Sequence, residues 1–386
     1  MHGIRRYSLF VVAVLSLLAH AVFAQAQTQP IPVPQPPSLG AESYVLMDYH
    51  SGRLLAQDNP DSRRDPASLT KLMTAYVVFK ELQAGNLSMG DTVRISEKAW
   101  RAPGSRMFIE VGDGVKVGDL VRGMIIQSGN DASIALAEHV AGTEETFAQV
   151  MNQYADALGM DNTHYTNATG LTHENHYTTA EDTAILARAL ISEFPDYYQF
   201  YSQKSFTWNG IEQSNRNKLL WRDETVDGLK TGYTESAGYC LTSSAERDGM
   251  RLIAVVMGTS SPNARINQSQ ALLNYGFRFY ETHRLYEGGK GLTNARVWKG
   301  SADTAQLGIR HDLYVTIPKR QYEKLEASLS VDGRITAPVS GGKTYGRVLV
   351  TLGERTVAEV PLVALKDVAE GGIISRMTDE VLLWFE

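Results

Sequence analysis

Residues 62–82 read SRRDPASLTKLMTAYVVFKEL, with a serine and a lysine three positions apart at the start of the apolar part. Asp65 is a favourable residue before a helix, and Pro66 suits the first helical position. The apolar residues that follow recur at helical spacing: Leu69, Leu72, Met73, Tyr76 and Phe79. The pattern predicts a helix with Ser68 in its first turn and Lys71 one turn later. Side chains three residues apart share a helix face, so this hydroxyl and this amine can meet.

A serine and a lysine at this spacing are weak evidence alone, because about one or two chance matches are expected in a chain this long. A second match, SGGK at 340–343, contains two glycines and is predicted to be a turn between strands. Two other fragments support the first match. Ser128-Gly129-Asn130 lies between two predicted helices, and Lys230-Thr231-Gly232 ends a predicted strand. The three fragments together, each in a suitable element, predict an active site.

The predicted chemistry is attack by the Ser68 hydroxyl, which needs a base to remove its proton. No Ser-His-Asp set is evident, so Lys71 is the candidate base. Burial and a neighbouring cation both lower the pKa of a lysine, and Lys230 is the candidate cation. Ser128 can pass a proton between Lys71 and the leaving amine. Asn130 can hold the substrate amide and orient Lys71.

The tetrahedral intermediate of such a reaction needs hydrogen-bond donors directed at its oxygen. The backbone N–H of Ser68 is one predicted donor, and the backbone N–H of Tyr233 is the second. Gly232 is predicted to let the substrate lie close against the strand, as an added β-like strand. These groups complete the predicted oxyanion hole and substrate groove.

The three fragments resemble the signatures of the penicillin-binding proteins and serine β-lactamases. The resemblance is closest to the low-molecular-mass penicillin-binding proteins that are serine-type D-alanyl-D-alanine carboxypeptidases. It extends from Ala41 to the C-terminus through stretches such as QSGNDA, DGLKTG, AGYCL and RLIAVVMG. It implies removal of the terminal D-alanine from peptidoglycan pentapeptides through an acyl-serine, and slowly hydrolysed adducts with β-lactam antibiotics. No cofactor and no metal are expected.

The resemblance also implies roles for individual residues. It makes Ser68 the nucleophile and Lys71 the general base. Ser128 is implied to assist proton transfer, and Asn130 substrate placement.

A second group of residues is implied to face the substrate carboxylate, namely Lys230, Thr231 and Arg265. The segment TSSPNA, which precedes Arg265, departs from the usual family pattern. Tyr233 stands where many relatives have histidine. Because only its backbone N–H is needed for the oxyanion, we expect little effect on the chemistry.

Other activities use the same residues. A DD-endopeptidase or a transpeptidase would use the same catalytic residues, and the motifs do not distinguish between acceptors. The related β-lactamases carry S-D-N where this chain has Ser128-Gly129-Asn130, and a glutamate in an E-x-x-L-N setting that the sequence between residues 142 and 229 lacks. At most weak β-lactamase activity is therefore expected, with Lys71 serving both half-reactions. A non-catalytic binder of the same fold is the alternative of a different class, and an intact nucleophile and base argue against it.

The chain has 386 residues, enough for two domains, and its net charge of −6 argues against a nucleic-acid partner. Residues 1–26 combine two arginines, an apolar run and small residues, which predicts a cleaved signal peptide; an uncleaved anchor is the alternative. We therefore expect a protein that acts outside the cytoplasm, and the family resemblance implies a periplasmic enzyme at the outer face of the cytoplasmic membrane. Residues 27–40 are Pro-rich and are predicted to be an extended linker without packed structure.

The predicted fold class is α+β. Residues 41–282 show a strand hairpin, a cluster of helices and three strands, which predicts a catalytic domain with an antiparallel sheet flanked by helices. Residues 283–366 contain short β-like runs at close spacing, which predicts a small all-β sandwich.

The last predicted unit is an amphipathic membrane-anchoring helix in residues 367–386. Its apolar residues fall on one helical face: Ile373, Ile374, Met377, Val381, Trp384 and Phe385. The stretch is too short and too charged to span a bilayer but suits the interface, with residues 370–386 contacting the membrane surface. Because the helix is acidic, attachment would depend on apolar side chains without help from anionic lipid. A helix that caps the β domain is the alternative.

Two further features are predicted to be structural. Cys240, the single cysteine, lies in the alternating stretch GYCLTSSA and is predicted to be a small core residue, with a reactive thiol as the alternative. The HENH sequence at 173–176 lacks a third ligand at metal-site spacing and is predicted to be a solvated loop.

Overall fold

A five-stranded antiparallel sheet forms the centre of the first domain in the computed structural model, which describes residues 33–384. The strands of this domain are β1 (Ser43–Asp48), β2 (Leu54–Asp58), β3 (Thr92–Arg94), β4 (Gly114–Lys116), β5 (Ser205–Trp208), β6 (Ile211–Ser214), β7 (Val226–Thr234), β8 (Gly238–Arg247) and β9 (Met250–Thr259). The central sheet has the order β2-β1-β9-β8-β7, and β3 pairs with β4 and β5 with β6. The predicted hairpin (β1 and β2) and the three predicted strands (β7 to β9) are confirmed.

Helices cover both faces of this sheet. They are α1 (Lys71–Ala84), α2 (Glu97–Trp100), α3 (Val117–Arg122), α4 (Asn130–Ala141), α5 (Glu144–Ala157), α6 (Ala180–Glu193), α7 (Pro195–Tyr198), α8 (Leu219–Arg222) and α9 (Pro262–Phe279). The hydroxyls of Thr143 and Thr179 accept backbone N–H groups at the starts of α5 and α6, which explains where these helices begin. The predicted helices before β5 are confirmed.

Successive side chains of β9 point to opposite faces of the sheet, and both faces are covered. Ile253 and Val255 face the layer that contains α1 and α6, whereas Leu252 and Ala254 face α9. Gly276 of α9 lies against Leu252, and a Cβ there would come within 2.5 Å of its side chain. Cys240 is fully buried in the same domain, so its predicted place in the core is confirmed. The domain therefore has three layers, with helices on both sides of the sheet.

Helix α9 was not predicted from the sequence. Its first nine residues, PNARINQSQ, are mostly polar, and the apolar residues that pack on the sheet come only in its second half. The helical period was therefore too weak to detect, although the Ser261 hydroxyl accepts the Ala264 N–H as a regular N-cap does.

The predicted linker is packed where the structure describes it. Residues 33–40 have no regular secondary structure, as expected of an extended segment. However, Val33 and Leu39 pack against the core beneath α9, and the Tyr275 hydroxyl donates to the Pro34 carbonyl. The prediction of an unpacked segment was wrong for these residues, because apolar side chains between the prolines find a partner on α9. The predicted signal peptide lies outside the described residues.

The second domain begins where α9 ends and is built from strands. They are β10 (Tyr280–Tyr286), β11 (Gly291–Trp298), β12 (Thr304–Gly308), β13 (Leu313–Pro318), β14 (Leu325–Val331), β15 (Ile335–Thr336), β16 (Thr344–Leu352) and β17 (Arg355–Ala364). A six-stranded sheet has the order β14-β16-β17-β12-β11-β15, and β10 pairs with β13. Leu307, Val315 and Val348 join the two sheets in one core. The all-β domain is confirmed, and SGGK at 340–343 contains the predicted turn before β16.

A final helix, α10 (Ile373–Leu382), lies against the second domain through polar contacts. The Asp379 carboxylate accepts the Lys299 backbone N–H, and Glu380 pairs with the Lys299 amine. Ser375 donates to the Gly300 carbonyl. Across residues 33–384, the structure shows no helix whose length and apolar character would let it cross a membrane.

The packing of β9 predicts that two valines of the first domain contribute differently to the free energy of unfolding. Val255 is fully buried, whereas Val111 is 52% exposed. We expect Val255→Ala to lower the free energy of unfolding by about 2–3 kcal/mol, from about 0.8 kcal/mol per buried methylene plus a cavity contribution. Val111→Ala should change it by less than about 0.5 kcal/mol. Thermal unfolding of both variants checks this, and equal melting temperatures would contradict the layer arrangement.

Candidate active site

The turn that carries Ser68 precedes α1 and is not part of it. Residues Ala67–Thr70 form a 3-10 turn, and the α-helix begins at Lys71, so the predicted α-helical first turn was wrong. Ala67 has a φ of 47°, a left-handed conformation that an alanine adopts only under constraint. The N-cap of this turn is Pro66 and not the predicted Asp65, although Asp65 Oδ1 accepts the Ala67 N–H at 3.0 Å from one position earlier. Ser68 alone in this turn is partly exposed, so its hydroxyl can be reached from solvent.

The amine of Lys71 lies beside the Ser68 hydroxyl, as the spacing predicted. Its Nζ is 3.0 Å from Ser68 Oγ, 2.7 Å from Asn130 Oδ1 and 2.6 Å from the Thr169 carbonyl oxygen. The side chain is only 1% exposed, and this burial lowers the pKa of Lys71 to about 7, against the opposing effect of Asp131 and Glu144.

A neutral amine fits these three partners. It has two N–H groups and one lone pair, and the oxygens of Asn130 and Thr169 can only accept hydrogen bonds. Those two oxygens therefore take the N–H groups, and the lone pair is left for the proton of Ser68. The arrangement can deprotonate the hydroxyl.

Ser128, just before α4, contacts the amine of Lys230, and Asn130, the first residue of α4, contacts the amine of Lys71. A π-helical turn, Gly123–Gln127, ends at Ser128, which has a φ of 66°. The Ser128 hydroxyl lies 2.9 Å from Lys230 Nζ. The amide nitrogen of Asn130 donates to the Pro103 carbonyl at 2.6 Å, which fixes its oxygen toward Lys71. The structure thus brings both predicted residues into the site.

Lys230 is buried on β7 and donates to the Thr231 carbonyl as well as contacting Ser128. Burial, and then the charges of Lys71 and Arg265, hold the pKa of Lys230 well below its usual range. Burial lowers the pKa of Lys71 as predicted, but Lys230 is not among the causes, because the charges that act on Lys71 are those of Asp131 and Glu144, which raise its pKa. Because like charges repel, a proton on the Lys71 amine disfavours a second proton on the Lys230 amine.

Gly232 has a structural role that the sequence did not suggest. A Cβ at this position would lie 3.0 Å from the Pro66 carbonyl oxygen and 3.2 Å from the Ala67 Cβ. The bare α-carbon therefore lets β7 pack against the turn that carries Ser68. Its predicted contact with substrate remains a prediction.

Arg265 lies in the first turn of α9 and reaches the same strand. Its Nη1 donates to the Gly232 carbonyl at 3.0 Å, and its guanidinium lies over the Tyr239 ring. The ring of Tyr233 is 51% exposed and stacks on Tyr239 with centroids 4.3 Å apart. Thr231, which directly precedes Gly232 on β7, is buried. Arg265 is thus near the predicted carboxylate site, despite the unusual segment before it.

Three groups of the site were not predicted. The carbonyls of Thr169 and Pro103 orient Lys71 and Asn130, and main-chain oxygens have no residue-type signature in a sequence. His176 was predicted to lie in a solvated loop but is 2% exposed. Its Nδ1 accepts the Thr166 N–H, so its Nε2 donates to Thr70 Oγ1 at 2.8 Å. Burial lowers the pKa of His176 to about 4, and the neutral ring supports the nucleophile turn.

Comparisons with known proteins agree with this geometry. A family model described as D-alanyl-D-alanine carboxypeptidase matches residues 31–261, and a model described as the C-terminal domain of penicillin-binding protein 5 matches residues 280–370. The carboxypeptidase DacA of Escherichia coli K12 is 42% identical over 361 residues, which cover 92% of this chain and 90% of DacA.

Solved structures are similar as well. Penicillin-binding protein 5 of Haemophilus influenzae superposes with a TM-score of 0.84 at 42% identity, covering 87% of this chain and 100% of that one. Penicillin-binding protein D2 of Listeria monocytogenes, solved in its ampicillin-bound form, has a TM-score of 0.58 at 30% identity and covers 62% of this chain and 100% of D2. The resemblance read from the three fragments is therefore confirmed: the chain belongs to the D-alanyl-D-alanine carboxypeptidase family of penicillin-binding proteins.

Proposed function

We propose that this protein removes the terminal D-alanine from peptidoglycan pentapeptides through an ester formed on Ser68. The observation that carries the proposal is the 3.0 Å contact between a partly exposed hydroxyl and the buried amine of Lys71. A pKa near 7 leaves much of that amine neutral at neutral pH, as a general base requires.

Acylation follows from the positions of the groups. Lys71 takes the proton of Ser68 Oγ, and the oxygen attacks the carbonyl carbon between the two D-alanines. The N–H groups of Ser68 and Tyr233 stabilise the oxyanion. When the C–N bond breaks, the proton that Lys71 took from Ser68 passes through Ser128 to the leaving amine, so Lys71 is neutral again; the Ser128 hydroxyl lies 2.9 Å from Lys230 Nζ. D-alanine departs and the peptide remains on Ser68 as an ester.

The free carboxylate of the substrate needs positive charge at one end of the groove. Lys230 and Arg265 both approach the Thr231–Gly232 segment of β7. Arg265 Nη1 donates to the Gly232 carbonyl and Nε is buried, which leaves the Nη2 group as the donor for a carboxylate. This supports recognition of a peptide C-terminus, where a carboxypeptidase must act.

In deacylation, water replaces Ser68 as the nucleophile, and the Ser68 oxygen becomes the leaving group. Lys71 is the base nearest to Ser68, and its contacts with Asn130 and Thr169 leave its lone pair on the side of the ester. Lys71 takes a proton from water as the water oxygen adds to the ester carbonyl. The bond to Ser68 Oγ then breaks, and the Ser68 oxygen recovers a proton from Lys71. One base for both half-reactions is consistent with long-lived β-lactam adducts.

Replacement of the nucleophile tests the proposal, and the second serine–lysine pair provides a matched control. We expect Ser68→Ala to reduce D-alanine release from a peptide ending in D-Ala-D-Ala by at least about 10³-fold and to abolish labelling by fluorescent penicillin. Ser340→Ala, in the turn at 340–343, should behave as the unmodified protein. Labelling that persists in Ser68→Ala would refute the assignment.

The lowered pKa of Lys71 predicts the pH dependence of acylation. Because only the neutral amine accepts a proton, the rate constant of penicillin labelling should rise about tenfold per pH unit below 7 and level off above it. The charge of Glu144 raises the pKa of Lys71, so Glu144→Gln should move the midpoint to lower pH. Labelling rates measured between about pH 5 and pH 9 check the shape of the profile and the shift of its midpoint in Glu144→Gln. A flat profile, or a midpoint displaced upward by Glu144→Gln, would exclude Lys71 as the base.

We infer that the protein acts outside the cytoplasm and is held at a membrane surface by α10. The apolar face of this helix is open: Ile373, Ile374, Met377, Val381 and Trp384 are between 60% and 85% exposed. The opposite, polar side contacts the second domain, as described above. A helix that only capped the domain would bury its apolar face, so this orientation supports attachment to lipid. The signal-like residues 1–26 support secretion.

Two substitutions of equal charge change test membrane attachment. Ile374→Asp places a charge on the apolar face, whereas Arg376→Gln alters a residue that pairs with Glu370. We expect Ile374→Asp to weaken binding to zwitterionic lipid vesicles by about tenfold or more, and Arg376→Gln to leave it nearly unchanged. Removal of residues 370–386 should release the protein from the membrane fraction. Equal vesicle sedimentation of all variants would refute the attachment.

A further inference from the structure

The carboxylate of Asp65 joins three segments of the active site. Its Oδ1 accepts the Ala67 N–H at 3.0 Å, at the start of the nucleophile turn. Its Oδ2 accepts three hydroxyls, those of Thr172 at 2.7 Å, Thr234 at 3.2 Å and Ser236 at 2.5 Å. A local turn contact accounts only for the bond from the Ala67 N–H. The other three lie 107 to 171 residues away in sequence.

Each segment carries a group that the reaction needs. The turn holds the N–H of Ser68, and Thr234 directly follows Tyr233, the second proposed oxyanion donor. Thr172 belongs to the loop in which the Thr169 carbonyl accepts from Lys71. The relative position of these segments sets the distance between the two oxyanion donors.

Other contacts do not fix this distance equally well. Gly232 approaches Pro66 and Ala67 only by van der Waals contact, which limits how near β7 can come but does not pull it in. The hydroxyls of Thr172 and Ser236 also lie 3.2 Å apart, so they share Asp65 as their common acceptor. Hydrogen bonds to a charged oxygen are stronger than those between neutral groups.

We propose that Asp65 is a positioning residue that sets the separation of the Ser68 and Tyr233 N–H groups, and so the strength of the oxyanion hole. The proposal rests on the function proposed above. Asp65 itself touches neither Ser68 Oγ nor the Lys71 amine among its contacts, so it acts through the segments that it joins.

Two variants of Asp65 separate the contacts. Asp65→Ala removes all four. Asp65→Asn keeps an oxygen for the Ala67 N–H but puts an amide donor where three hydroxyls now donate. The matched control is Asp223→Ala, at the other end of β7, because Asp223 also caps a turn through Thr225 and also joins it to distant elements, through Arg247 and Gln270.

The readouts are the rate constant of acylation by penicillin and the carbonyl stretching frequency of the acyl-enzyme in infrared difference spectra. That frequency reports hydrogen bonding to the ester oxygen directly, and a loss of stability alone does not change it. We expect Asp65→Ala to slow acylation by about 10²-fold and Asp65→Asn by about tenfold, each with a higher carbonyl frequency. Asp223→Ala should lower the melting temperature and leave both readouts unchanged.

The outcomes distinguish the two proposals. If penicillin does not label Ser68 in the unmodified protein, the proposed function fails. If it labels Ser68 and both Asp65 variants keep the original rate and frequency, only the positioning role fails. If the Asp65 variants lose stability without a change in carbonyl frequency, as expected for Asp223→Ala, then Asp65 has only a structural role and the positioning role fails. If Asp65→Ala does not fold, Asp65→Asn decides by the same criteria.

Discussion

The amine of Lys71 is buried away from solvent, and three oxygens of the protein surround it. Desolvation of an ammonium group is expensive, so burial favours the form without the extra proton. Two of the oxygens can only accept, which determines where the remaining lone pair points. The same contacts thus set both the protonation state of the base and its direction. The helix, the π-helical turn and the loop around it matter chiefly because they deliver these oxygens.

One loop, residues 161–179, supports the nucleophile turn at several points. Thr169 offers its carbonyl to Lys71, Gly170 packs against the Ala67 carbonyl, and His176 donates to Thr70. The loop has no regular helix or strand along most of its length, and internal bonds such as that from Gly170 N–H to Asn167 stiffen it. A segment that reads as a polar loop is therefore part of the catalytic framework.

The sequence was informative where side chains do the chemistry. Ser68, Lys71 and Lys230 belong to recognisable fragments, and helical or strand periodicity placed these fragments in suitable elements. It was uninformative where main-chain atoms act, as with the carbonyl of Thr169. It was misleading at His176, because the polar neighbours in the chain suggested a solvated loop although the ring is buried. Helix α9 was not predicted because the first half of its sequence is mostly polar. Contacts between distant segments decide these features, and no local pattern records them.

The nucleophile turn lies between two bare α-carbons. A methyl group on Gly170 would overlap the Ala67 carbonyl, and one on Gly232 would press on Pro66. Ala67 itself is in a left-handed conformation that costs about 1 kcal/mol or more, and it is fully buried. Neither glycine can gain a side chain without displacing the turn that carries Ser68. Evolution or engineering of new substrate preferences is therefore confined to the exposed rim, at side chains such as Leu171 and Tyr233 that adjoin the two glycines.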